Sequence, residues 1–259
     1  GRIYERQSSV LSDNDDSPGM RTLQAGPGSG AETDKAWKVT EISYKEIRKS
    51  EEINMYIEQG DAVLGELGYT EHSRKHAART AETAGKILKE LGYDKKTVEL
   101  AKIAGYMHDM GNSINREDHA HTGALMAFRI LREMGMDPAD TAMVISAIGQ
   151  HDEKTGAAVN PVSAALILAD KTDVRRNRVR NQVKAAFDKH DRVNYAAVSS
   201  SLKIDREKQI IRLEIELDES ICSIMDYFEI FLQRMLMCRR AAEILGVKFK
   251  MSANGSKIC

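Results

Sequence analysis

Between Glu41 and about Asp173 the apolar residues recur at helical spacing, and the recurrence is interrupted by Gly, Pro and Asp. Ile47, Ile53, Ile57, Val63, Leu64 and Leu67 form one stripe, which predicts a helix over 42–67 with Gly60 as a break. A second helix opens near Glu71, carries Ala77, Ala81, Ala84, Leu88 and Leu91 on one face, and stops at Gly92. Asp94 has N-cap chemistry for a third helix through Val98, Ala101, Ala104 and Met107, which delivers His108-Asp109 at its end before Gly111 turns the chain. A fourth is predicted over 118–134 with Leu125, Phe128 and Leu131. Pro138 opens a fifth through Val144, Ile145 and Ile148 to His151, and Pro161 a sixth through Leu166 and Leu168 to Asp170.

After about Arg180 the period changes. Val198–Ile204 and Ile210–Leu217, the latter alternating at Ile211, Leu213, Ile215 and Leu217, predict a β-hairpin around the polar turn Asp205-Arg206-Glu207-Lys208. A long helix over 220–245 ends at Gly246 and leads into a short strand over 247–252. The expected fold is therefore mainly α, a helical bundle over 41–180 followed by a small α+β (ββαβ) subdomain over 181–259. Residues 1–37 are rich in Ser, Gly, Asp and Pro without apolar periodicity, which predicts a disordered leader, and an initial Gly leaves the natural start open.

Composition narrows the function classes. With 42% hydrophobic, 30% charged and 5% aromatic residues and 12 methionines, the 259-residue chain suits packed helices better than a β-sandwich. A net charge of -1 excludes a globally basic nucleic-acid or anionic-membrane binder, so an anionic ligand must be met by a local patch. Cys222, Cys238 and Cys259 have no C-x-x-C spacing and, with no secretory leader or apolar run of spanning length, imply a reduced, cytoplasmic protein with no membrane partner. Met225, Tyr227, Phe228, Phe231, Met235 and Met237 suit core or homodimer contact.

Six of the seven histidines fall between His72 and His151, and each candidate ligand lies near a predicted helix end. His72 and His76 stand one helical turn apart; His108-Asp109, His119, His121, His151 and Asp170 follow. Imidazoles and carboxylates together suit a borderline or hard divalent ion such as Mn, Fe, Zn, Co, Ni or Mg. His190 lies beyond this set and is expected at the surface. Lys171 and the run Arg175, Arg176, Arg178 and Arg180 follow directly on Asp170, which suggests either a solvated face or a phosphate-binding rim.

The ordered set His72, His108-Asp109 and Asp170 resembles the H…HD…D pattern of the HD superfamily of metal-dependent phosphohydrolases, over roughly residues 70–175. Thr70-Glu71-His72-Ser73 looks like the E-H-S opening of HD-type nucleotidases, which assigns His72 as first ligand ahead of His76. His119-Ala120-His121-Thr122-Gly123-Ala124 is similar to the H-P-x-x-G-A motif of the two-metal HD-GYP branch, and Gln150-His151-Asp152-Glu153-Lys154-Thr155-Gly156 to its H-H-E-x-x-D-G. Gln150 replaces the first histidine of that motif and Asp152 its glutamate, and Ala157–Pro161 replaces the G-Y-P run.

The resemblance implies one or two divalent ions held by His72, His108, Asp109 and Asp170, with Asp109 bridging to a second set formed by His119 and His151. It implies hydrolysis of a phosphomonoester or phosphodiester, of a nucleotide above all, with Asp109 and Lys171 acting directly. Beside that set, His76, His121 and Lys171 are candidate substrate contacts, and Arg175 and Arg178 would join them if the arginine run is a phosphate-binding rim. A nucleic-acid end remains within this substrate range. Two other functions fit the same residues: a regulatory module that binds metal and nucleotide without turnover, and a di-iron oxygenase, which spectroscopy of the iron-loaded protein separates from a hydrolase.

Overall fold

A computed structural model of the chain describes residues 39–180 and 187–259. The expected leader over 1–37 lies outside the described residues. Within them the fold is mainly helical with one small sheet near the C-terminus.

The predicted helix over 42–67 is two helices, α1 (Tyr44–Lys49) and α2 (Glu51–Glu66). Ser50 adopts an extended conformation between them, and its side chain caps α2 by accepting from the Ile53 N–H. Gly60 does not break α2. A Cβ there would meet Asn112 Cβ and Ser113 N at 3.2 Å, so the glycine lets α2 lie against the turn that follows His108-Asp109.

Helix α3 (Arg74–Leu91) starts after its Ser73 cap and ends at Gly92, whose φ of 89° is the left-handed conformation a C-cap glycine supplies. Helix α4 (Lys95–Met107) follows the Asp94 cap. The two pack closely at Gly105, where a Cβ would lie 2.7 Å from Ala81 Cα. A 3-10 turn, Met110–Ser113, then leads to α5 (His119–Glu133), α6 (Pro138–Gly149) and α7 (Pro161–Lys171). Helix α5 buries Ala127, Ile130 and Leu131 but leaves Leu125 and Phe128 exposed. Helix α7 is apolar almost all round, and accordingly packs against α3, α4, α6 and α9 at the centre of the molecule.

A short helix that the sequence pattern missed, α8 (Lys189–Ala196), precedes β1 (Ala197–Asp205) and β2 (Ile210–Leu217). Then come α9 (Ile224–Ile244), β3 (Lys248–Ala253) and a two-residue β4 (Ser256–Lys257). The sheet order is β1-β2-β3-β4, with β2 and β3 parallel and the other pairs antiparallel. Because α9 packs against both α7 and β3, a single hydrophobic core runs from Ile42 to Met251, and the described residues form one compact unit. No helix among the described residues is long and apolar enough to cross a membrane.

Candidate metal centre

Five helix ends and one turn deliver the polar residues. His76 lies in the first turn of α3, while His72 precedes the Ser73 cap, its backbone N–H donating to Asp61 Oδ1 at 2.6 Å. His108 is the C-cap of α4, and Asp109 opens the 3-10 turn, where the Asn112 amide donates to its main-chain oxygen and to Oδ1 (3.0 and 2.9 Å). A Cβ on Gly111 would lie 2.0 Å from His119 O and 2.6 Å from Gly123 N, so this turn rests directly on the first residues of α5. That contact brings His119 to Asp109. His151 follows the C-cap of α6, and Asp170 is the penultimate residue of α7.

The side chains converge on Asp109. Its Oδ2 is 3.0 Å from His108 Nε2 and 3.6 Å from His76 Nε2, while its Oδ1 is 3.8 Å from both His119 Nε2 and His151 Nε2. Asp170 Oδ1 lies 3.2 Å from His76 Nε2 and 3.6 Å from His108 Nε2. First-row metals bind such atoms at about 2.0–2.2 Å, so two ligands of one ion are at most about 4.4 Å apart, and each of these pairs satisfies that limit. Two groups, His76-His108-Asp170 and His108-Asp109-His151, have ligand atoms mutually within 4.8 Å.

The tautomers also fit a cation. Nδ1 of His72, His108, His119 and His151 faces the carbonyl oxygen of Thr70, Gly105, Arg116 and Ile148 at 2.7, 2.8, 3.1 and 2.6 Å. A carbonyl only accepts, so each Nδ1 carries the proton and, in the neutral ring, each Nε2 presents a lone pair. His119 Nε2 and His151 Nε2 are 3.2 Å apart, an arrangement two lone pairs tolerate when a cation lies between them. His76 Nε2, His108 Nε2 and Asp109 Oδ2 are buried without hydrogen bonds, although they lie close to one another. Each such orphan costs about 1–3 kcal/mol, which a shared metal ion would offset.

Burial drives His72 and His151 below the usual histidine range, and drives His119, with His151 beside it, down to about 3. Burial opposes ionisation of Asp109 and Asp170 too, yet the His108 imidazole beside Asp109, and Lys171 with His108 and His76 beside Asp170, hold both carboxyls well below the ordinary range. His108 carries the counterpart: burial disfavours its charge, but Asp109 and Asp170 outweigh that and push it up to about 10. Two ionised carboxylates thus face His108 and Lys171 across this site.

Above the ligands opens a cleft of about 540 Å³, with His72, Asp109, His119, His151 and Asp170 along its floor. His72 belongs to neither tight group; its ring is 5.5 Å from that of His76 and lines the cleft. His76 was expected to touch substrate, but it is wholly buried between the carboxylates, with Nδ1 2.8 Å from Asp173 Oδ2, so it faces ligands instead. Lys171 borders the cleft with Nζ 2.7 Å from Asp170 Oδ2. His121 points away from the cleft: it is exposed and pairs with Asp118 at 3.5 Å.

The arginine run is largely structural. Arg175 donates to both Asp173 oxygens and to Asn177, Arg176 to Tyr195 O and Asp218, and Arg180 to Tyr69 O and Asp61. Arg175, expected to contact substrate, is not among the residues that line the cleft, and its fork is engaged by Asp173 and Asn177. Arg178 does border the cleft, buried and donating to the carbonyls of Glu71 and Asp173. His190, expected at the surface, is exposed yet stands at the cleft mouth. Arg116 and Arg234 were missed. An arginine three residues after Phe231, within an apolar helix pattern, was the available sign of Arg234.

A helical bundle with convergent His and Asp side chains beneath a cleft lined by both acidic and basic residues defines a candidate metal-binding protein of the HD type. The HD-domain family model matches residues 74–229, more than half of the chain, and the protein belongs to that family. It is 28% identical over 239 residues to an uncharacterized protein of Methanocaldococcus jannaschii, covering 83% of this chain and 85% of that one. It is 26% identical over 173 residues to ribonuclease Y of Thermosipho melanesiensis (64% of this chain, 33% of the relative) and 33% identical over 120 residues to ribonuclease Y of Deinococcus radiodurans (45% and 20%). The chain thus spans a third or less of these two ribonucleases. A solved structure of a predicted HD superfamily hydrolase from an uncultured Thermotogales bacterium aligns over 48% of this chain and 67% of that one, at 26% identity and a TM-score of 0.38.

Proposed function

We propose that the protein is a divalent-metal-dependent hydrolase of phosphoesters, acting on a nucleotide. The observation that carries this reading is the placement of Asp109, whose Oδ2 faces His76 and His108 while its Oδ1 faces His119 and His151. Such a carboxylate suits a bridge between two ions. His76, His108 and Asp170 would hold one, with His72 closing that set from the cleft, and His119 and His151 the other. When bound, the metal lowers the pKa of water from about 15.7 towards about 7 and offsets charge on a phosphoryl oxygen.

The remaining roles fall to the chain itself. The carbonyls behind His72, His108, His119 and His151 hold the Nδ1 proton of each ring and aim its Nε2 inward, and a metal ion would take the place of the second proton that Asp109 and Asp170 favour on His108. Lys171 and Arg178 supply positive charge beside the floor, Lys171 as a point charge for a phosphoryl oxygen. Similarity to ribonuclease Y supports a second reading in which the substrate is an RNA.

The test is elemental analysis of the purified protein, followed by assay with Mn of nucleotides, short RNAs and a chromogenic phosphoester. Metal-dependent release of phosphate or nucleotide from one of these classes is expected, together with its complete loss in Asp109→Asn while far-UV circular dichroism stays unchanged. Wild-type turnover in Asp109→Asn at unchanged metal content would overturn the site assignment. Absence of metal-dependent hydrolysis across the panel, despite bound metal, would favour a binding module.

A further inference from the structure

Arg234 forms a wall of the cleft that the proposed reaction leaves without a role. It lies on α9 beyond the matched HD span, which ends at residue 229, and so enters the site from outside the family's common region. Two contacts fix its guanidinium. Nε donates to Glu153 Oε1 at 2.6 Å, and the guanidinium carbon sits 4.3 Å from the Phe231 ring centroid. Glu153 stands two residues after His151, so one short loop carries both a candidate ligand and the partner of the arginine.

These contacts use only one edge of the fork. Nη1 and Nη2 have no hydrogen bond or ion pair among the described residues, although the side chain is only 24% exposed. The neighbouring cations are differently placed: Lys171 is paired with Asp170, and Arg178 spends Nε and Nη1 on the carbonyls of Glu71 and Asp173. Arg234 therefore offers the cleft a rigid, planar pair of donors. Such a pair matches two oxygens of one phosphoryl group.

We propose that the Nη edge of Arg234 binds the phosphoryl group of the substrate, with Glu153 and Phe231 as positioning residues, and that the substrate class is a phosphomonoester. A terminal phosphoryl has three non-bridging oxygens, enough to engage the fork with two while one faces the His/Asp floor. A diester has only two, which the fork and the floor would have to share. This inference rests on the phosphohydrolase reading.

The test uses the metal-loaded full chain and inorganic phosphate as the probe, with Arg234→Lys, Arg234→Met and Glu153→Gln. Calorimetry should show phosphate affinity reduced about tenfold or more in both Arg234 variants, since a charge-assisted bidentate contact is lost. Metal per chain and the melting temperature of Arg234→Lys should match wild type. Glu153→Gln, which retains an acceptor for Nε–H, should lie between. KM for a phosphomonoester should rise with the loss of phosphate affinity, and KM for a phosphodiester much less. Wild-type phosphate affinity in Arg234→Lys shows that charge without the fork suffices and overturns the proposal; should Arg234→Met fail to fold, Arg234→Lys still decides. Wild-type protein that carries metal, binds no phosphate and cleaves no phosphoester removes the hydrolase reading and this inference together, whereas phosphate binding indifferent to Arg234 removes only the inference.

Discussion

Asp109 and the four histidines around it show how burial selects among residues that a sequence presents as equivalents. His72 and His76 are one turn apart, and the spacing alone gives no reason to rank them by depth. The Ser73 cap separates them: His76 falls inside α3 and is wholly buried, while His72 remains on the chain leading in and borders the cleft. Depth of this kind depends on how α3 meets α4 and α7, which local pattern does not contain. By contrast, His108, Asp109 and Asp170 were legible as helix-end residues, because N-caps and prolines mark where α4 and α7 begin. The pairing of His119 with His151 makes a quantitative expectation. Titration of metal-free protein should show about two sites per chain, and the double variant His119→Ala, His151→Ala should retain about one, with hydrolysis lost. An unchanged stoichiometry would show that these imidazoles hold no ion.

Among the elements, the 3-10 turn after His108 matters most to the site, and its contact depends on a missing side chain. An alanine at 111 would place its Cβ against backbone atoms of His119 and Gly123, which cannot swing aside as a side chain can. Gly111→Ala should cost about 1–3 kcal/mol or more through overpacking, and should weaken metal binding at the His119 side as the turn and α5 are forced apart. Thermal melts and Mn titration check both. Gly65→Ala is the matched control: in α2 its Cβ would meet only the Arg180 side chain at 3.5 Å, an ordinary contact, so higher helix propensity should leave stability unchanged or raise it by up to about 1 kcal/mol. Equal destabilisation by the two changes would contradict this account of Gly111. Sequence reading saw Gly60 and Gly111 as places where the chain breaks or turns. In the structure Gly60 continues its helix, and both glycines serve as points of close approach between elements, a use that becomes visible only once the partner element is in place.

For the molecule as a whole, the question is whether residues 41–180 fold without the C-terminal part. The change from helical to strand periodicity near Arg180 suggests a boundary there, and a chain divided at that point should then be separable. The packing argues otherwise. Helix α9 packs against α7 as well as β3 and α8, with Tyr227, Phe231, Met235 and Met237 buried along it, and burial of side chains this size contributes roughly 1.5–3 kcal/mol each. Their sum is comparable with the roughly 5–15 kcal/mol net stability of an ordinary domain. Polar links cross the same line: Arg176 reaches Tyr195 O and Asp218, Ser200 donates to Thr172 O at 2.6 Å, and Arg234 holds the loop after His151 through Glu153. A chain ending at Arg180 should therefore lack a cooperative thermal transition and bind metal far more weakly than the full chain, even though its candidate ligands are all present. Far-UV circular dichroism with temperature, near-UV circular dichroism and Mn titration on the truncated and full chains give the comparison. A sharp melt and full metal stoichiometry in the truncated protein would establish 41–180 as an autonomous domain, and would mean that α9 decorates the bundle without completing it.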